Sequence, residues 1–200
     1  MERPHPSPAG ARGNLSIQVH ELAIPDVKVL TPHRMGDQRG FFSEVYSRRT
    51  LAALGIDVEF VQDNHSRSAE PGTVRGLHFQ TPPHAQVKLV RVLRGSVFDV
   101  AVDVRKSSST YGRHVSVVLS AEAWNQVLVP VGFAHGFMTL EPDTEVAYKV
   151  SDYYAPGHDE GLRWNDPELG IGWPAVTSEA LLSDKDRRQP GFAEFATPFP

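Results

Sequence analysis

Short runs of β-branched and aromatic residues, closed off by turn-forming residues, dominate this chain and limit it to a fold built from strands. The stretch VRGLHFQTPPHAQVKLVRVLRGSVFDVAVDVR, Val74–Arg105, shows the pattern at its densest. Around it lie VKVL, FVQDNHS, HVSVVLS, NQVLVP, FMTL and EVAYKVSDYY, with Gly, Pro, Asp or Ser at several junctions. Runs this short, made of residues that fit a pleated surface, predict an all-β sandwich or barrel. Two stretches read as short helices. One is SRRTLAALG, with Ser47 as N-cap and Gly55 just past the end; the other is SEALLSDKDRR, Ser178–Arg188. No internal period of about 20–50 residues recurs, so a propeller or solenoid is not expected.

With 200 residues, 40% of them hydrophobic, the chain can bury one sizeable core. Residues 17–200 are expected to form a single domain, and residues 1–16, rich in Pro, Gly and Ser, a flexible N-terminal tail. A net charge of −4 without a basic tract leaves no electrostatic footprint for nucleic acid or an anionic membrane. No run is apolar enough for a signal peptide or a bilayer span. The absence of Cys removes disulfides and thiolate metal sites and fits a cytoplasmic protein.

Within the densest stretch, Arg75, His78, His84 and Lys88 stand where apolar side chains are usual. Strand alternation puts Lys88 on one face with Gln86, Val90 and Val92, which makes it a candidate for an inward position. In VFDVAVDV the same alternation groups Asp99 with Ala101 and Asp103, so Asp99 is placed to line a lumen. Arg75 and His78 are three apart, and regular alternation would send them to opposite faces. A bulge at Gly76 would bring both inward. Solvation on the outer face is the ordinary fate of strand cations, and it is expected for Arg91, Arg94 and Arg105. For Arg75, His78 and Lys88 the alternative is a polar cavity, where each buried ion costs several kcal/mol unless an anionic ligand or a carboxylate compensates it.

Histidines inside a β-barrel often hold metal. Here His78 and His84 flank a TPP turn, and no third ligand follows at a suitable spacing. PVGFAHGF, Pro130–Phe137, resembles the second motif of the cupin superfamily, whose metal-binding members carry a histidine at the place of His135. The first cupin metal motif is missing, so no metal is expected. Taken alone, His135 also reads as a hydrogen-bonded core histidine.

The segments DQRGFFSEVY, FVQDNHSRS, RGLHFQTPPHAQVKLVRVLRG, VFDVAVDVRKSSSTYG, PVGFAHGF, AYKVSDYYAP, GLRWNDPELGIGWP and LLSDKD resemble, in order, the motifs of the dTDP-4-dehydrorhamnose 3,5-epimerase family. The resemblance runs from about residue 20 to about residue 190. It implies a cupin-type jelly roll with a few peripheral helices, a homodimer, no cofactor, no metal, and a nucleotide-linked 4-keto-6-deoxy sugar as substrate. By the same resemblance His78 is the base, Tyr148 the acid across the ring, Lys88 the donor at the enolate oxygen, and Asp186 the partner of His78. Asp184 remains an alternative to Asp186. Arg39 and Arg75 would neutralise the diphosphate, a task suited to a guanidinium fork. Glu44, Gln62 and Asn64 would contact base and sugar, Tyr154 would stack on the thymine, and His135, Asp159 and Lys185 would complete the pocket.

Without the resemblance, Tyr148 reads as a packed strand tyrosine, Arg39 as a solvated turn residue, and Gln62 and Asn64 as turn hydrogen-bonders. Two other functions stay open at this level: an epimerase that inverts only carbon 3 or carbon 5, and a non-catalytic sugar-binding cupin. The full set of His78, Tyr148, Lys88 and a C-terminal Asp disfavours the second, because binding alone needs no acid opposite a base.

Overall fold

The apolar runs pair into two antiparallel sheets that face one another. The structure, a computed structural model, describes residues 17–175 and 179–200; the expected tail at residues 1–16 lies outside the described residues. One sheet has six strands in the order β1 (Ile17–Glu21), β2 (Lys28–Pro32), β10 (Gln126–Val129), β7 (Lys88–Arg94), β12 (Thr144–Val150) and β5 (Gln62–Ser68). The other has five, in the order β13 (Asp159–Gly161), β6 (Val74–Gln80), β11 (Phe133–Thr139), β8 (Ser96–Asp103) and β9 (His114–Ser120). A two-stranded ribbon of β3 (Met35–Asp37) and β4 (Gly40–Phe42) completes the set. The expected all-β sandwich is found, with jelly-roll connectivity. The strands that pattern reading passed over are β1, which alternates with polar residues, and the three-residue β3, β4 and β13.

Three apolar clusters explain why many strands read as continuous hydrophobic runs. Between the sheets, Val90, Val92, Val127, Val129 and Val146 pack against Val97, Ala101, Val115, Leu119, Phe133 and Phe137. The outer face of the five-stranded sheet is covered as well, where Val100, Val102 and Ala134 meet Leu162, Leu169 and Phe199 from the C-terminal segment. On the outer face of the six-stranded sheet, Leu30, Leu89 and Leu128 meet Leu51 and Ile56. Burial of side chains of this size stabilises by about 1.5–3 kcal/mol each. A strand covered on both faces loses the alternating signature, as β11 does with every residue buried.

Helix α1 (Arg48–Ala53) forms where expected: Ser47 Oγ accepts from the Thr50 amide at 3.3 Å, and Gly55 at φ +81° ends the turn. Six residues cannot hold a helix alone, and Leu51 anchors this one in the third cluster. The second expected helix is largely corrected. Only α2 (Asp184–Arg187) is helical, and Ser178 lies outside the described residues. Upstream, Leu181 pairs in parallel with Thr73, donating to Gly72 O at 2.9 Å and accepting from the Val74 amide at 2.8 Å. Those sheet-edge bonds, and the N-cap at Ser183, outweigh the helical propensity of the preceding EALL. Among the described residues no helix is long and apolar enough to cross a membrane.

Arg105 is also corrected. It is not a solvated strand cation but grips the fully buried Asp103 with Nε at 2.9 Å and Nη2 at 2.8 Å, and lies 4.6 Å from the Phe133 ring. Arg91 is half-buried, whereas Arg94 is exposed as expected.

Candidate active site

A bulge brings the cations of β6 together. Against β11, His135 pairs with His78 and Phe137 with Arg75, so two steps on one strand face three on the other. Gly76, at φ +136°, takes up the extra residue. A Cβ there would stand 2.5 Å from Gly136 Cα and 2.9 Å from His135 O, so two glycines back to back permit the close approach. As a result Arg75 and His78 line one cavity of about 560 Å³, shared with Lys88, His135, Tyr148 and Asp186. His78 and His135 come from the five-stranded sheet, and Lys88 and Tyr148 from the six-stranded sheet facing it.

His78 Nε2 donates to Asp186 Oδ1 at 2.5 Å, which leaves Nδ1 of the neutral ring without a proton. Asp186, 4% exposed, rather than Asp184, makes this contact. Burial works to raise the Asp186 carboxyl, but hydrogen bonds from His78 and Ser183, with the charge of Lys185, outweigh it and hold it below the usual carboxylate range.

Lys88 Nζ donates to the His78 carbonyl at 3.1 Å and has no carboxylate within ion-pair distance among the described residues. Its burial pushes its pKa down to about 8, against the pull of Asp159 and Asp99. Tyr148 is raised, chiefly by burial and further by Asp159, with Arg75 opposing, so the phenol keeps its proton at neutral pH. His135 Nε2 meets both oxygens of Asp99 at 2.9 and 3.0 Å, and Asp99 is 1% exposed. The inward position read for Asp99 is found, filled by a histidine partner. Among the described residues no three His, Asp or Glu side chains converge on a metal position.

A smaller cavity of about 150 Å³ shares His78, Lys88 and Tyr148 and extends to Gln62, Asn64, Tyr154 and Asp159. Gln62 donates to Asn64 Oδ1 at 2.9 Å and accepts from the Tyr154 amide at 3.1 Å. Asp159 Oδ2 accepts from Tyr154 at 3.0 Å and from Lys185 at 2.5 Å.

A sequence profile described as dTDP-4-dehydrorhamnose 3,5-epimerase matches residues 21–194. The chain belongs to that family. It is 53% identical over 178 residues to the dTDP-4-dehydrorhamnose 3,5-epimerase of Sinorhizobium fredii, covering 89% of this chain and 91% of that one. The crystal structure of the Bacillus anthracis dTDP-4-dehydrorhamnose 3,5-epimerase with TDP and PPi bound superposes with a TM-score of 0.85 at 52% identity, covering 88% and 100% of the two chains. The Legionella pneumophila dTDP-6-deoxy-D-glucose-3,5-epimerase, in complex with dTDP-4-keto-L-rhamnose, gives a TM-score of 0.85 at 42% identity, covering 90% and 95%. The epimerase family is one of cupin jelly rolls, and its members are isomerases.

Four residues singled out in the sequence line neither cavity: Arg39, Glu44, His84, and Lys185, which meets the smaller one through its ion pair with Asp159. Arg39 sits between β3 and β4, 84% exposed and paired with Asp37. Glu44 accepts from Thr50 Oγ1 at 2.9 Å, and neither residue lines either cavity. His84 bonds Asp152 at 3.0 Å and packs edge-on against His158 instead of joining His78. Sequence reading passed over Gln86 and Gln80, which hold the 152–155 loop beside the smaller cavity through Asp152 O at 2.7 Å and the Ala155 amide at 2.8 Å. Both lie within a quoted family segment, but they act on backbone groups, so their side-chain chemistry does not single them out there.

Proposed function

We propose that this chain converts dTDP-4-dehydro-6-deoxy-D-glucose to dTDP-4-dehydro-L-rhamnose by inverting carbons 3 and 5. What carries the reading is one arrangement: a histidine bonded to a buried carboxylate on one wall of the cavity, with a protonated phenol and an ammonium on the wall that faces it. The ketone at carbon 4 acidifies the hydrogens on both neighbours. His78 Nδ1 removes one, and Asp186 stabilises the imidazolium. Lys88, still charged at neutral pH, meets the oxygen of the enolate. Tyr148 then returns a proton from the opposite face. Each inversion leaves His78 protonated and Tyr148 ionised, and exchange with solvent restores both. Proton transfer of this kind contributes about 10²- to 10⁴-fold, and a fixed donor at the enolate oxygen about 10²- to 10³-fold.

Arg75, Gln62, Asn64, Tyr154, Asp159 and His135, which line the two cavities, and Lys185, which is paired with Asp159 at their edge, are assigned to nucleotide and sugar contacts. Arg39 and Glu44, remote from their own cavity, are assigned to the nucleotide of a second subunit in a homodimer. Support for the dimer comes from the β3–β4 ribbon, which presents Phe41 and Phe42 at 56% and 64% exposure beside Arg39. Residues 17–200 would act as one domain, in the cytoplasm, without metal.

The test is incubation with dTDP-4-dehydro-6-deoxy-D-glucose in deuterated water containing a chelator. Deuterium is expected at carbons 3 and 5. Label at one carbon makes the protein a mono-epimerase, no label makes it a binder, and activity that needs an added divalent ion restores the metal reading.

A further inference from the structure

Asp186 is held from two sides. His78 takes Oδ1, and the Ser183 hydroxyl donates to Oδ2 at 2.9 Å. The same Ser183 Oγ accepts from the Asp186 amide at 3.1 Å, capping α2. Ser183 also lines the main cavity, on the segment that Leu181 ties to the edge of β6. The sequence Ser-Asp-Lys-Asp has the spacing of a capping box, but its carboxylate turns inward to His78 instead of back to the N-cap amide.

We propose that Ser183 is a positioning residue for the proton transfer, holding the Asp186 carboxylate so that Oδ1 faces His78 Nε2. The inference rests on the epimerase reading for its effect on turnover, though not for its effect on the His78–Asp186 pair. Ser183 Oγ is the one side-chain donor that meets Oδ2 among the described residues. The carboxylate is nearly buried, so water does not replace that donor freely. Other charged or titratable groups around Asp186 are His78, Arg75, Lys88, Tyr148, Arg67, Glu70 and His135 along the main cavity, Asp184, Lys185 and Arg187 on α2, and Arg163 and Glu179 lining a third cavity that Asp186 also borders. None of them duplicates the hydroxyl contact.

A glycine at an N-cap costs only a few tenths of a kcal/mol relative to serine, whereas alanine costs about 1 kcal/mol. Ser183→Gly therefore removes the hydroxyl at little cost to the start of the helix, and Ser183→Thr keeps both hydroxyl and cap. Deuterium exchange into the substrate is expected to slow about tenfold in Ser183→Gly and Ser183→Ala alike, with KM unchanged, and to recover in Ser183→Thr; tenfold corresponds to about 1.4 kcal/mol. Deprived of its donor, the carboxylate holds the shared proton more tightly. The acid limb of the rate profile, and the His78 ring signal followed by NMR, should then move to higher pH than in the wild type. Ser183→Gly at the wild-type rate with an unmoved His78 titration overturns the proposal. So does loss of rate in Ser183→Thr equal to that in Ser183→Gly. A wild-type protein with no exchange refutes the epimerase reading instead, and the ring titration still decides the role of Ser183.

Discussion

Replacing Lys88 by methionine should make the protein more stable and much less active. The ammonium sits where burial lowers its pKa from 10.5 to about 8, with Asp159 and Asp99 resisting and Lys185 adding to the fall. The difference, 10.5 minus 8, corresponds to about 3 kcal/mol of destabilisation of the fold while the lysine is charged. The unfolded chain holds that proton more tightly than the folded one. The cost is therefore complete below pH 8, fades as the pH rises towards 10.5, and vanishes above it. Methionine fills the same channel without charge but loses the hydrogen bond to the His78 carbonyl, worth about 1 kcal/mol. Lys88→Met is thus expected to gain about 2 kcal/mol at pH 7 and to lose that advantage by pH 10.5. Urea unfolding of both proteins at the two pH values, at one protein concentration, measures the difference. A methionine variant no more stable than wild type at pH 7, or a gap indifferent to pH, would refute the claim that this charge is held without adequate compensation. The same variant should lose about 10²-fold or more in exchange rate, a case of stability given up for activity.

The two proton carriers should separate in mutants. His78→Ala should abolish deuterium exchange, whereas Tyr148→Phe should keep exchange but impair inversion; exchange in His78→Ala equal to wild type would remove the histidine from its assigned role. Asp103→Ala should lower stability by about 3–5 kcal/mol in urea unfolding, because Arg105, Ser108 and Thr110 all donate to that buried carboxylate. A loss below about 1 kcal/mol would show that Arg105 finds adequate solvation without it.

The sandwich was legible because the runs in β7, β8 and β9 are long enough to display their chemistry, and the short helix because Ser47 and Gly55 mark its ends. The place of Lys88 followed from alternation alone. For Arg75 and His78 alternation gave the wrong faces, and only the glycine between them hinted at the register shift. The second helix was over-read because EALL has helical propensity, while its sheet-edge partners at Gly72–Val74 lie more than 100 positions earlier in the chain. Pairing of Asp186 rather than Asp184 was open for a similar reason: one turn of chain carries both, and only contact with β6 tells them apart. Arg105 was misread because it lies past the end of β8, where alternation no longer sets its direction, and turns back onto Asp103, the last residue of that strand.

The two histidines and Asp99 ride on one sheet, with Asp186 on α2 beside it, while the lysine and the phenol ride on the other sheet, and a layer of valines and phenylalanines keeps the two apart. The thickness of that filling sets how wide a sugar ring can be while still touching both walls. Exchanging one valine of the layer for a bulkier or slimmer neighbour would therefore retune which ring carbon comes within reach, with every reacting group left in place. Diversification of ring chemistry on such a scaffold has a route through the oily interior, out of contact with any substrate.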